Sequence, residues 1–245
     1  MCTVTWLETD GGYHLFSSRD ELRTRGPARA PRFHETPAGR FLAPIDSDGG
    51  GTWIAVNDYG LGLTLLNDYA ADPGPGDFES RGLLVSRLAT AGTPADVRAA
   101  LAATDLERYR PFRLVVLAPG STAQVRHWDG GREAGETASE PPLLTSSSFD
   151  PVGADQARRR LLNRAGGPLD VERLLEFHRS HEPARGPLSP CMHRDDARTV
   201  GFTHLEVGPG RAVMRYRGGP PCRGSASVET VLELKSRRRP APAGA

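Results

Sequence analysis

A cysteine at position 2 is the residue of this chain with the clearest capacity for covalent chemistry. If an aminopeptidase removes Met1, Cys2 carries a thiol and a free α-amine in one residue. Their reference pKa values, about 8.5 for the thiol and about 7.7–8.0 for the amine, suit a nucleophile and its base. A nucleophile activated by its own N-terminal amine is an established means of acyl transfer. The simpler alternative is that residue 2 is merely small, so the downstream residues must decide.

Arg19 and Asp20 follow the second strand of a predicted hairpin and can therefore lie beside Cys2. The hairpin joins residues 2–8 to residues 12–18 through a turn with two glycines, which is a strong hairpin signal. Arg19 would lower the pKa of the thiol, because a nearby cation favours the thiolate. Asp20 would hold the α-amine by accepting its hydrogen bonds. The alternative is a solvated cluster of charges that follows a strand.

Asn67 ends an apolar predicted strand and can donate its amide N–H to a developing oxyanion. One such donor contributes about 2.7–4 kcal/mol to stabilising a transition state. Asparagine is also a common turn residue, and this alternative stays open.

The composition excludes several classes of function. A formal net charge of +1 gives no overall field for nucleic acid or an anionic membrane, and no apolar stretch approaches the roughly 20 residues of a membrane span. Of 31 lysines and arginines only Lys235 is a lysine, which argues against Schiff-base, Walker-type and kinase chemistry. Three cysteines form neither a disulfide framework nor a CxxC pair, which favours a reducing, cytoplasmic location.

The predicted elements alternate between blocks of strands and blocks of helices. An arginine- and proline-rich segment, residues 23–44, is predicted to be a loop. Hairpin-connected strands indicate antiparallel sheets, and separate helical blocks indicate covering layers. We therefore predict one α+β domain over residues 1–235, with a disordered tail at 236–245. The predicted strands are residues 2–8, 12–18, 52–56, 61–66, 112–118, 121–129, 198–205, 211–217 and 228–234; the helices are residues 79–91, 94–104, 152–165 and 169–181.

Several segments, in this order, resemble the NRDE-motif family, which is named for transport and Golgi organisation protein 2. Its Asn-Arg-Asp-Glu motif stands here as Ser18-Arg19-Asp20-Glu21, with the first letter changed. The resemblance extends from residue 1 to about residue 222. The other matching segments are Met1-Cys2-Thr3, Gly50-Gly51-Thr52-Trp53, Leu65-Leu66-Asn67-Asp68-Tyr69 and the block from Cys191 to Val200.

That family is similar in turn to the N-terminal-nucleophile hydrolases, which include choloylglycine hydrolases and penicillin acylases. The resemblance implies a four-layer αββα sandwich of two antiparallel sheets covered by helices. It also implies that Cys2, Arg19, Asp20 and Asn67 are catalytic. Where the hydrolases usually carry a second oxyanion asparagine, this chain has only serines, including Ser147. The other implied substrate-binding residues are Trp53, Asn57 and Arg198, the last of which can equally be a strand-edge arginine.

Two functions follow from these resemblances. One is cofactor-independent hydrolysis or acyl transfer at a carbon–nitrogen or acyl bond of a small molecule. The other is non-catalytic binding, since the NRDE family is associated with haem trafficking and with lipid or acyl-coenzyme A homeostasis; haem would then be a bound ligand. A soluble domain with no retained site is a third possibility.

We predict no metal site, because His178 and His181 suit the negative end of a helix and Cys191 and Cys222 resemble inert thiols.

Overall fold

The computed structural model describes residues 2–71, 74–136, 140–164, 166–224 and 226–235, which form thirteen strands and four α-helices. The strands are β1 (Cys2–Thr9), β2 (Gly12–Leu22), β3 (Arg29–Thr36), β4 (Gly39–Ile45), β5 (Ile54–Asn57), β6 (Gly62–Asn67), β7 (Phe112–Ala118), β8 (Ser121–Trp128), β9 (Glu133–Glu136), β10 (Leu143–Ser146), β11 (Ala197–Gly208), β12 (Arg211–Arg217) and β13 (Val228–Glu233). The helices are α1 (Arg81–Leu88), α2 (Pro94–Ala102), α3 (Pro151–Arg164) and α4 (Val171–Arg179).

Two antiparallel sheets form the centre of the fold. The six-stranded sheet has the order β10-β1-β2-β11-β12-β13, and the seven-stranded sheet has the order β3-β4-β5-β6-β7-β8-β9. Apolar side chains from both sheets, such as Leu15, Ile54 and Val115, are buried together between them. Burial of this apolar surface provides the main driving force for stacking the sheets.

Helices cover the outer face of each sheet. Leu84 and Val97 of α1 and α2 pack against Leu63 and other residues of the seven-stranded sheet. Leu162 and Phe177 of α3 and α4 belong to a cluster that includes residues of the six-stranded sheet. The result is a four-layer αββα sandwich, which confirms the predicted α+β class.

The predicted loop over residues 23–44 is wrong, because most of it forms the hairpin of β3 and β4. β3 lies at the edge of its sheet, and most of its side chains are exposed. An edge strand buries little apolar surface and tolerates charge and proline, so it lacks the alternating pattern of a half-buried strand. Short β9 and β10 were also not predicted.

β2 is longer than predicted, and this determines the environment of Cys2. Positions 19–21 lie within β2 rather than after it. On the other side of β2, the pairing with β11 shifts register between Thr199 and Gly201, so Thr199 faces Asp20 and Gly201 faces Arg19. Such bulges are enriched beside active sites, where they redirect a side chain.

Two predictions concern the ends of the fold and the membrane. Met1 and the tail at 236–245 lie outside the described residues. Within the described part of the chain, none of the helices has the length and apolar character needed to cross a membrane.

Candidate active site

Cys2 begins β1, with a neighbouring strand on each side. It pairs with Ser146 of β10 and with Arg19 of β2. Its side chain lines a cavity of about 340 Å³. Of the residues predicted for the site, Cys2, Arg19, Trp53 and Asn67 line this cavity together. Residues from positions 2 to 110 therefore converge here, which is the arrangement expected of a ligand site.

The Cys2 thiol differs from the expectation of an activated thiolate. Burial raises its pKa, and the nearby carboxylates of Asp20 and Glu21 raise it further. The positive charge of the amino terminus and the backbone N–H of Asp20 act in the opposite direction but do not outweigh the effect of burial. The net direction is therefore opposite to the lowered pKa expected from Arg19, because removal from water disfavours the thiolate. The thiol is protonated at neutral pH and needs a base.

Arg19 instead forms a rigid part of the cavity wall. Its Nη2 donates to Oδ2 of Asp46 at 2.8 Å and lies 3.3 Å from Oε1 of Glu21. Its guanidinium carbon also lies 4.6 Å from the ring centroid of Trp53. Burial alone would raise the pKa of Asp46, but hydrogen bonds from Arg25 and Gly49 together with nearby arginines hold it below its usual range. The charge of Arg19 is thus shared with two carboxylates.

Asp20 lies behind the cavity wall and is fully buried. Its Oδ1 accepts a hydrogen bond from Oγ1 of Thr199 at 2.6 Å, and Oδ2 lies 4.0 Å from Nη2 of Arg158. Burial raises the pKa of Asp20 against the attraction of Arg158. Asp20 thus belongs to an interior network beneath Cys2.

The backbone nitrogen of Cys2 has a hydrogen-bond partner in the neighbouring strand. It donates to Oγ of Ser146 at 3.1 Å, across the β1–β10 pair. Removal of Met1 would turn this nitrogen into the α-amine, with Ser146 beside it, while the holding of that amine by Asp20 stays a prediction. Side chains alternate between the two faces of a strand, so Ser146 and its neighbour Ser147 cannot serve the same place.

Asn67 ends β6 on the cavity wall. Its Nδ2 donates to the hydroxyl of Tyr69 at 2.9 Å. That contact is with an exposed side chain, so a bound oxygen atom can replace it at small cost. Asn67 is therefore positioned to donate to a ligand in the cavity.

Asn57 was predicted to bind substrate, and the structure corrects this. Its Nδ2 donates to the carbonyl oxygens of Ala89 and Ala91 at 3.0 and 2.6 Å. Its Oδ1 accepts from the backbone N–H groups of Tyr59 and Leu61. These bonds use both ends of the amide to join the β5–β6 turn to the end of α1, so Asn57 has a structural role.

Ser147 and Arg198 also differ from their predicted roles. Oγ of Ser147 accepts from the backbone N–H groups of Phe149 and Asp150, both at 3.2 Å, just before α3 begins. Arg198 lines a separate cavity of about 260 Å³ that also contains Arg23. Neither side chain has the placement of a second oxyanion donor or a substrate cation beside Cys2.

Two cations on the cavity wall were missed by sequence reasoning. Arg81 begins α1, and its Nη1 donates to the carbonyl oxygen of Pro111 at 2.8 Å. Burial lowers the pKa of Arg81 from its ordinary value. The guanidinium carbon of Arg110 lies 4.6 Å from the ring centroid of Phe78. Neither residue lies in a segment with a motif, so only the fold reveals them.

The whole fold is similar to solved hydrolase structures. The C2A mutant of conjugated bile acid hydrolase from Clostridium perfringens superposes with a TM-score of 0.57 and 12% identity, covering 96% of this chain and 92% of that one. The Caenorhabditis elegans ortholog of N-acylethanolamine-hydrolyzing acid amidase gives a TM-score of 0.56 and 11% identity, covering 96% and 100%. The fold is thus that of the N-terminal-nucleophile hydrolases.

Residues 1–150 match the family model for Transport and Golgi organisation 2. The chain belongs to this family, as the NRDE-type motif predicts. No curated protein matches the chain by sequence.

Proposed function

We propose that the protein is an N-terminal-cysteine hydrolase or acyltransferase that acts on an amide or related acyl bond of a small molecule. The observation that carries this proposal is the position of Cys2, whose thiol lines the cavity while its own nitrogen is held by Ser146. Asn67 on the same cavity wall supplies an amide donor. The similar solved structures, a bile acid hydrolase and an acid amidase, support this class of reaction.

In the proposed reaction the α-amine of Cys2 takes the thiol proton as sulfur attacks the acyl carbon. The raised pKa of the thiol makes this transfer part of the attack rather than a step completed beforehand. Asn67 donates to the oxyanion of the tetrahedral intermediate. When the carbon–nitrogen bond breaks, the α-ammonium returns the proton to the leaving nitrogen. Water then attacks the thioester carbon and gives a proton to the α-amine. The carbon–sulfur bond breaks, the carboxylic acid leaves, and the α-ammonium returns the proton to sulfur to restore the thiol.

The cavity favours a substrate with an anionic group. Arg81 and Arg110 line it, and α1 begins at Arg81, so the positive end of the helix dipole lies at the cavity. Arg19 and Arg25 are already paired with Asp46. Arg81, at the start of α1, is therefore well placed to meet a carboxylate or phosphate, and Arg110 lines the same cavity.

A carrier of haem or acyl-coenzyme A is the second candidate. It is favoured by Ser147, which stands where the hydrolases have a second asparagine. The hydroxyl of Ser147 instead accepts hydrogen bonds from the backbone N–H groups of Phe149 and Asp150. The same two arginines would contact haem carboxylates or coenzyme A phosphates. This function needs the cavity but not the thiol of Cys2.

A substrate screen of wild type separates the two functions, and Asn67→Ala tests the oxyanion role of Asn67. Wild type is screened against acyl amides and thioesters, with haem titration alongside. If Asn67 donates to the oxyanion, the variant should lose about 10²–10³ in kcat with little change in ligand affinity. Asn163→Ala, an exposed asparagine on α3, is the matched control and should retain full activity. Tight haem binding by wild type, without product from any acyl compound, would replace the hydrolase by the carrier.

A further inference from the structure

Four metal-ligating side chains meet at a point that the proposed reaction does not use. His181, Cys191 and His193 come from the segment between α4 and β11, and Cys222 comes from the loop after β12. One nitrogen or sulfur atom from each residue lies within 4.8 Å of all the others. We propose that these four residues bind one Zn²⁺ ion.

The distances suit a tetrahedral ion. Nε2 of His193 lies 3.5 Å from Sγ of Cys191 and 3.4 Å from Sγ of Cys222. Zn–S bonds of about 2.3 Å and Zn–N bonds of about 2.0–2.1 Å, arranged tetrahedrally, separate sulfur from nitrogen by about 3.5 Å. The two nitrogen-to-sulfur distances therefore already have the length that a zinc site requires, and small side-chain rotations can shorten the other distances between the four ligand atoms.

His181 provides an independent observation. Among the described residues, its Nε2 has no hydrogen-bond partner although the atom is buried. The His181 ring centroid lies 5.0 Å from that of His193, with the rings at 70°. A buried imidazole nitrogen without a partner is costly, and coordination to a metal ion would satisfy it.

The donor set favours zinc and a structural role. Two thiolates and two neutral imidazoles balance the charge of Zn²⁺, and four protein ligands leave no open position for catalysis. With Nε2 of His193 on the metal, its Nδ1 carries the proton, so the 3.5 Å contact with Arg185 must open. Arg185 is exposed, and its side chain can move into solvent.

The zinc site would stabilise the segment from Cys191 to His193, which lies beneath the candidate active site. Met192 lies between Cys191 and His193, and its N–H donates to Oγ1 of Thr199 at 2.9 Å. The same hydroxyl donates to Asp20 at 2.6 Å. The ion would therefore fix a loop that is two hydrogen bonds from Asp20. The metal site stands on its own ligands and does not depend on the proposed hydrolase activity.

Metal content tests the site directly. Full-length protein made with Zn²⁺ in the medium, then freed of loosely bound metal, should contain one zinc per chain by mass spectrometry of the elements. Cys222→Ser should lose this stoichiometric zinc, and Cys2→Ser, which removes the cysteine outside the cluster, should retain it. Only trace zinc in wild type, or equal zinc in wild type and Cys222→Ser, would overturn the proposal.

A cobalt titration of wild-type protein tests the site even if Cys222→Ser does not fold. Titration of metal-depleted wild type with Co²⁺ should give the intense visible absorption of a tetrahedral thiolate site, saturate at one equivalent and disappear when Zn²⁺ is added. Absence of that absorption would overturn the proposal. So would an intact mass lower by two hydrogen atoms in protein purified without oxidant, together with a peptide map that joins Cys191 to Cys222 by a disulfide.

Discussion

Cys2→Ala is expected to lower kcat for an acyl substrate by about 10⁶-fold, the loss that follows removal of the nucleophile in a serine protease. Alanine keeps the backbone nitrogen and its bond to Ser146 while deleting the sulfur that lines the cavity. It is also small enough for removal of the initiator methionine to continue. The variant therefore isolates the thiol from the α-amine, and steady-state and single-turnover kinetics measure its effect.

Ligand affinity provides the control for Cys2→Ala. Because the nucleophile acts in the transition state, the variant should bind the substrate about as tightly as wild type does. Unchanged turnover in Cys2→Ala would show that another group carries the reaction. A matching loss of turnover and of ligand binding would indicate a damaged cavity rather than a missing nucleophile.

Arg158→Met is expected to destabilise the fold by about 3–5 kcal/mol. Arg158 and Asp20 are both fully buried, with Nη2 and Oδ2 4.0 Å apart. Arg158 also donates to the carbonyl oxygen of Ser189 at 3.0 Å. Its loss removes the guanidinium that attracts the buried Asp20 and frees the loop that contains Ser189. Urea unfolding at pH 7 measures the change, and Arg160→Met, at an exposed position of α3, should alter stability little.

The pH dependence distinguishes loss of charge pairing from loss of packing. Without the attraction of Arg158, the pKa of Asp20 rises further above its unfolded value, so the folded chain binds this proton more tightly than the unfolded chain does. The loss of unfolding free energy caused by Arg158→Met is therefore small below about pH 3.9, the pKa of aspartate in the unfolded chain. It grows as pH rises through the pKa of Asp20 in the folded chain. Adding Asp20→Asn to Arg158→Met should recover much of the loss at pH 7. A loss that is equal at pH 4 and pH 7 would indicate packing alone.

The sequence predicts most of the fold because its signals are local. Glycine turns and apolar alternation identify the hairpins, and Thr93 caps α2 by accepting the N–H of Asp96, as the capping-box pattern predicts. β3 was missed because an exposed, charged edge strand lacks that alternation. The neighbouring positions of Cys2 and Arg19 follow from hairpin register, which is also a local property.

The rest of the candidate site depends on contacts between distant segments. Ser146, rather than Ser147, holds the Cys2 nitrogen because register places one of two adjacent serines opposite Cys2. Asp46 reaches the cavity from a loop and Arg81 from the first residue of α1, and neither segment has a sequence motif. The cysteine and histidine cluster likewise joins two loops that are far apart in sequence. These placements follow from packing of the two sheets, which no short sequence pattern encodes.

The mass of the intact protein tests most directly whether Cys2 acts with its own α-amine. Protein purified from the cells that made it, and analysed with a peptide map of its N-terminus, should lack Met1 and begin at Cys2 with an unmodified amine. Cys2→Ala should be processed in the same way, which makes it the matched sample for this measurement. Full retention of Met1 in wild-type protein would contradict the account, because the Cys2 nitrogen would then be an amide with no capacity to take the thiol proton.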